Sequence, residues 1–197
     1  MSVVLLISIC AAAQNNRLTD PADATLAAAS PFGTLTPGVS ATPASTQVQF
    51  RLRSKNATGY RVDGQASFST TLLAVAAGGA TTSAADIGVG ITSIGTASGV
   101  SLPRTDVISS GFNYDPSTVA AANGLTPYTG AASGEATLAD LAAGTKLLSG
   151  NKIAPNINTG GGTTNYLTVT MKFALVPQYF TPANFSSVVT LTISNGP

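Results

Sequence analysis

The sequence contains no histidine and a single cysteine, Cys10. Without histidine the chain cannot form a Ser-His-Asp or Cys-His nucleophilic site, and most zinc sites are excluded as well. One cysteine excludes a disulfide within the chain. The acidic residues are scattered, with no close pair of the kind used in glycoside hydrolysis and no calcium-loop spacing. We therefore expect a protein that is not an enzyme and that needs no metal or other cofactor.

Charge is scarce as well. Only 9% of the 197 residues are charged, and the formal net charge is +1. Such a surface offers no electrostatic basis for binding nucleic acid or an anionic membrane. Glutamate occurs once, at Glu135, whereas alanine, glycine, threonine and serine dominate. This balance favours strands and loops over helices, and it is typical of secreted and cell-surface proteins.

The longest apolar run lies at the N-terminus, over residues 3–13. It is too short to cross a bilayer as a helix, which needs roughly 20 residues, so we expect no membrane span. Small residues at 11–13 resemble a signal-peptide cleavage region, but no basic residue precedes the run. Exposed, the run would promote aggregation, so it is cleaved, folded into its own domain, or inserted into a neighbour. As an extended strand it would place one face at Val3, Leu5, Ile7 and Ile9.

The rest of the chain predicts strands and turns. Period-two alternation or β-branched composition indicates strands over 46–53, 60–73, 87–94, 166–176 and 187–194. Residues 115–124 predict one short helix, with Asp115 as N-cap and Gly124 as its end, whereas 137–148 fits a helix or a strand. The predicted fold is an all-β, immunoglobulin-like or jelly-roll β-sandwich. Its predicted parts are an apolar N-terminal arm (1–17), a Pro/Thr-rich linker (18–45) and the sandwich domain (46–197).

Two further sets of residues are candidates for function. The strands near the two ends of the sandwich domain alternate cleanly, and their apolar faces are candidates for a groove that accepts a strand: Val48, Phe50, Leu52, Val189, Leu191 and Ile193. Two sequons and a Thr/Ser/Pro-rich stretch are candidates for glycosylation, with ordinary turn chemistry as the alternative interpretation: Asn56, Asn184, Thr34, Thr36, Ser40 and Thr42.

A family resemblance rests on two short segments, 54–62 and 185–193, together with the apolar N-terminus. They resemble spore-coat-U-type and related pilin-like domains, which are bacterial surface-fibre subunits assembled by donor-strand complementation. The resemblance implies that each subunit lacks a strand and that the N-terminal extension of a neighbour fills the gap by β-augmentation. The chain departs from the chaperone–usher pattern because it lacks the usual disulfide and carries its apolar segment where a signal would stand.

Two functions follow as hypotheses. In the first, the chain is a structural subunit of an extracellular filament or pilus, a head-to-tail homopolymer joined by its N-terminal strand and carrying covalent glycans. In the second, it is a secreted monomeric binding module or adhesin for carbohydrate, and residues 1–13 are a truncated signal peptide. The tyrosines that could stack on a sugar in that case are Tyr60, Tyr114, Tyr128 and Tyr179.

Overall fold

The computed structural model describes residues 3–10, 16–19, 28–30, 44–72, 81–118, 134–155, 164–175 and 183–197. These residues form strands and single 3₁₀ turns, with no longer helix among them, which confirms the all-β prediction. The strands are β1 Val3–Cys10, β2 Asn16–Thr19, β3 Ala28–Ser30, β4 Ala44–Ser54, β5 Tyr60–Leu72, β6 Ile87–Thr96, β7 Val107–Ile108, β8 Thr145–Gly150, β9 Leu167–Leu175 and β10 Ala183–Asn195.

The strands form two sheets. Within the described residues, a six-stranded sheet has the order β3-β1-β10-β5-β8-β7 and a four-stranded sheet has the order β2-β4-β9-β6. Neighbouring strands are antiparallel except for β1 and β10, which run parallel. The longest pairing joins β5 and β10 over their full lengths, from Ala183 opposite Leu72 to Asn195 opposite Tyr60. β5 and β10 are distant in the sequence, but they are antiparallel neighbours at the middle of the larger sheet.

One apolar core lies between the sheets. In β4 every second residue from Thr46 to Leu52 is buried while the intervening ones face outward, as the alternation predicts. The six residues proposed above for a groove all belong to this core, three from each sheet. Burial of such side chains contributes about 1.5–3 kcal/mol each, which makes the alternation the main determinant of the fold.

The structure refines three predictions. The predicted helix at 115–124 begins as a 3₁₀ turn, Pro116–Thr118, capped by Asp115, whose Oδ1 accepts a hydrogen bond from the Ser117 amide at 2.9 Å. Residues 119–124 lie outside the described residues. The ambiguous stretch 137–148 contains a 3₁₀ turn, Leu138–Asp140, followed by β8.

The predicted linker 18–45 is partly strand. It includes the second half of β2, the short strand β3 and the start of β4, while residues 20–27 and 31–43 lie outside the described residues. The physical reason is visible at Leu18, which is fully buried in the core. One apolar residue in a polar stretch is too weak a pattern to predict a strand from sequence.

A buried polar cluster ties the segment before β7 to strands β5 and β8. The Tyr60 hydroxyl donates a hydrogen bond of 2.7 Å to Asp106 Oδ1, and Arg104 forms a two-point ion pair with the same carboxylate. Arg104 also donates to the Lys152 carbonyl at 2.6 Å. Gly150 lies so close that a Cβ there would overlap Asp106 Oδ1. The cluster therefore requires a glycine at this position of β8.

We expect Gly150→Ala to destabilise the protein by about 1–3 kcal/mol, because the added methyl group must displace the Asp106 carboxylate. Gly95→Ala is the matched control, since a Cβ at that strand position meets its nearest atom at 3.8 Å. Chemical denaturation of both variants checks the prediction. Equal losses of stability would contradict it.

Alkaline pH is expected to weaken the same cluster. Burial, followed by the hydrogen bond to Asp106, raises the pKa of Tyr60 above its ordinary value near 10. The folded chain therefore holds a proton that the unfolded chain releases, so this stabilisation is complete below pH 10 and is lost as pH rises further. Denaturation from pH 8 to 11 should show the stability gap between the wild type and Tyr60→Phe shrinking. A gap that is constant with pH would contradict this assignment.

Candidate functional site: β1 and its slot on β10

Strand β10 has a neighbour on each side. β5 pairs with all 13 of its residues, and β1 pairs with eight of them, from Val3 opposite Phe185 to Cys10 opposite Thr192. On its other side, within the described part of the chain, β1 pairs with the three residues of β3. We call residues 185–192 of β10 the β1 slot. Because β3 is so short, the slot provides most of the backbone pairing that holds β1.

The predicted donor face matches the buried face of the slot by register. Residues that pair across adjacent strands lie on the same face of a sheet. The donor residues Val3, Leu5, Ile7 and Ile9 stand opposite four residues of β10 that are all buried: Phe185, Ser187, Val189 and Leu191. The pairing lies within one chain, so donation of β1 to a neighbour stays a prediction.

The acceptor candidates come from both sheets. Val189 and Leu191 belong to the β1 slot, and Ile193 follows directly after it. Val48, Phe50 and Leu52 lie in the opposite sheet and face the same core. Alternation predicts which residues face inward, but it carries no information about the sheet to which a strand belongs. The acceptor role of the β10 residues stays a prediction.

The side-chain amide of Asn16, the first residue of β2, joins the two sheets. Asn16 is 3% exposed, its Nδ2 donates to Asn195 Oδ1 at 2.8 Å, and its Oδ1 accepts from Ser54 Oγ at 2.6 Å. Ser54 ends β4 in one sheet, and Asn195 ends β10 in the other. We call these three side chains the Asn16 clasp. Sequence reasoning missed it, because nothing in the local pattern distinguishes Asn16 from Asn15.

The polar contacts on the outer face of the four-stranded sheet are structural ties. Lys172 of β9 bonds to Asp115 Oδ2 at 2.9 Å and holds the 3₁₀ turn against the sheet. Partial burial acts to raise the pKa of Asp115. The hydrogen bonds from Ser117 and Lys172 outweigh burial, so the pKa of Asp115 lies below its ordinary value. Near the end of β4, the Arg51 guanidinium lies 4.3 Å from the centre of the Tyr166 ring, within cation–π range.

The glycosylation candidates fall in different settings. Asn56 lies in the turn between β4 and β5, where its Oδ1 accepts hydrogen bonds from the Thr58 amide at 3.1 Å and the Thr58 hydroxyl at 3.0 Å. Asn184 is exposed near the start of β10, opposite Thr71. The remaining candidates lie outside the described residues: Thr34, Thr36, Ser40 and Thr42.

The tyrosines proposed for sugar stacking give no exposed platform in the described part of the chain. Tyr60 is fully buried, and the half-buried Tyr114 donates its hydroxyl to the Ala136 carbonyl, while Tyr128 and Tyr179 lie outside the described residues. Near Ala136 is a cavity of about 350 Å³, lined by Ser110, Gly111, Phe112, Gly134, Glu135, Ala136, Asp140 and Thr145.

The described residues show neither a metal site nor a membrane-spanning helix. They contain no cluster of three or more His, Cys, Asp or Glu side chains that could hold a metal ion. No helix among them is long and apolar enough to cross a bilayer. No protein-family model matches the chain, and no curated protein matches it either. Within the described residues, β1, its slot and the Asn16 clasp are therefore the features that bear on function.

We expect Asn16→Ala to destabilise the protein by about 1–3 kcal/mol, because it removes the hydrogen-bond partner of the buried Ser54 hydroxyl and of Asn195. The matched control is Asn113→Ala, at an exposed position, which should change stability by less than about 0.5 kcal/mol. Thermal and chemical denaturation measure both. If the two variants lose the same free energy of unfolding, the Asn16 clasp does not stabilise the contact between the sheets.

Proposed function

We propose that this chain is a structural subunit of an extracellular filament or pilus, in which β1 of one subunit occupies the β1 slot of the next. The observation that carries the proposal is the attachment of β1, which pairs over its whole length with β10 and, among the residues that the structure describes, otherwise with three residues of β3. Any copy of the chain carries a strand that fits this slot. The subunit would be an immunoglobulin-like or jelly-roll sandwich with an N-terminal arm.

The chemistry of the slot favours occupation by a strand. Without β1, eight residues of β10 would present an unpaired edge beside the buried Phe185, Val189 and Leu191. An apolar edge of this kind is a template for another strand. Burial of four large aliphatic side chains from β1 would contribute on the order of 6–12 kcal/mol before entropic costs. A neighbour inserting the same sequence recovers the same contacts.

The composition supports a structural role at the cell surface. A chain with few charges, no histidine and abundant threonine and serine is typical of extracellular material. Glycans on Asn56 and Asn184 are part of the proposal. Around Asn56 the residues Lys55, Ala57 and Thr58 are exposed, and the Thr58 hydroxyl bonds to the side chain that would be modified.

Deletion of residues 1–10 is expected to abolish filaments, because the slot then has no strand to receive. Electron microscopy and sedimentation of the full-length and shortened chains measure this directly. Filaments that persist after the deletion would contradict the proposal.

A matched pair of point variants separates loss of exchange from loss of folding. Ile7→Asp alters the register position opposite the buried Val189, whereas Ser8→Asp alters the opposite face, opposite Thr190. Only the first should suppress assembly. Intact-mass measurement tests the binding-module hypothesis, because a mature chain that starts near Gln14 would lack β1 and would support a monomer instead.

A further inference from the structure

We infer that the exchanged element ends before Asn16: β1 crosses to a second copy of this chain, while β2 stays in its own subunit as a fixed anchor. The inference rests on the proposed function and specifies which part of the chain forms the interface. It comes from the contacts that hold β2, the strand that follows β1 in the sequence, to both sheets of its own subunit.

β2 is fixed by three independent contacts. It pairs with β4 from Asn16 opposite Ser54 to Thr19 opposite Arg51, and Leu18 is fully buried in the core. The Asn16 amide bridges the ends of both sheets. To leave with β1, this strand would have to open a hole in the core and expose the buried Ser54 hydroxyl. Exchange of β1 alone, by contrast, leaves all three of these β2 contacts in place, since among the described residues β1 pairs with β10 and β3.

The anchor limits where the second copy can lie. Cys10 and Asn16 are separated by residues 11–15, so even a fully extended chain spans only about 20 Å between them. Cys10 lies opposite Thr192 at the end of the slot. In the filament, the Asn16 of the donor must therefore stand within about 20 Å of the Thr192 of the acceptor. The interface therefore lies at the C-terminal end of β10 in the acceptor subunit, next to Asn16 of the donor subunit.

The test locks each strand in its own subunit with a disulfide before assembly. The native Cys10 lies opposite Thr192 in a pairing whose spacing of about 4.8 Å suits a disulfide, so Thr192→Cys locks β1. Thr19→Cys with Arg51→Cys locks β2, in a Cys10→Ser background that leaves no other thiol. Oxidation at low concentration followed by mass spectrometry verifies that each bond forms within one chain.

We expect the β1-locked subunit to lose assembly and the β2-locked subunit to assemble like the wild type. Each variant in its reduced form is the control for misfolding, and Thr192→Ala is the control that cannot form a bond. If the β2-locked subunit fails to assemble and recovers on reduction, the exchanged element includes β2 and the inference is overturned, while the proposed filament stands. If the β1-locked subunit still forms filaments, strand exchange itself is wrong and the proposed function fails with it.

Discussion

Backbone pairing on both sides of β10 is the constraint on which the larger sheet depends. β10 is the strand that β5 follows over its whole length, and its inward side chains complete the core opposite β4 and β9. Buried backbone groups must find hydrogen-bond partners, so an edge beside an apolar core is costly to leave bare. A strand at the position of β1 pairs these groups, and it does so equally whether it comes from the chain itself or from another copy.

Much of the fold could be predicted because several strands bury the side chains of one face and expose those of the other. In β4 and β10 this contrast produces a clean period of two, and the predicted strands lie within the observed ones. The turn after Asp115 could also be predicted, since a capping carboxylate followed by Pro116 is a local signal. These features need only neighbouring residues in the sequence, and this is why they can be read without the structure.

The candidate site could be predicted only in part, because its partners are distant in the sequence. The apolar alternation of β1 predicted a strand. Its parallel pairing with β10 could not be predicted, because no pattern among neighbouring residues indicates the partner strand. Asn16 is separated from Ser54 by 38 positions and from Asn195 by 179, so its bridging role requires the three-dimensional structure. Likewise Val48 and Val189 show the same alternation because they face one core from opposite sheets, and the alternation alone does not tell which sheet each belongs to.

The position of β1 in its own sheet has a thermodynamic consequence for a polymer built by exchange. The same contacts form whether β1 returns to its own slot or enters that of a neighbour, so their free energy cancels between the closed monomer and the polymer. The equilibrium would then be set by subunit concentration and by the contacts outside the slot, whereas the strength of the slot would set the rate at which a subunit opens. A tight slot thus makes both states long-lived, and a linear fibre leaves one empty slot at one end and one unpaired β1 at the other.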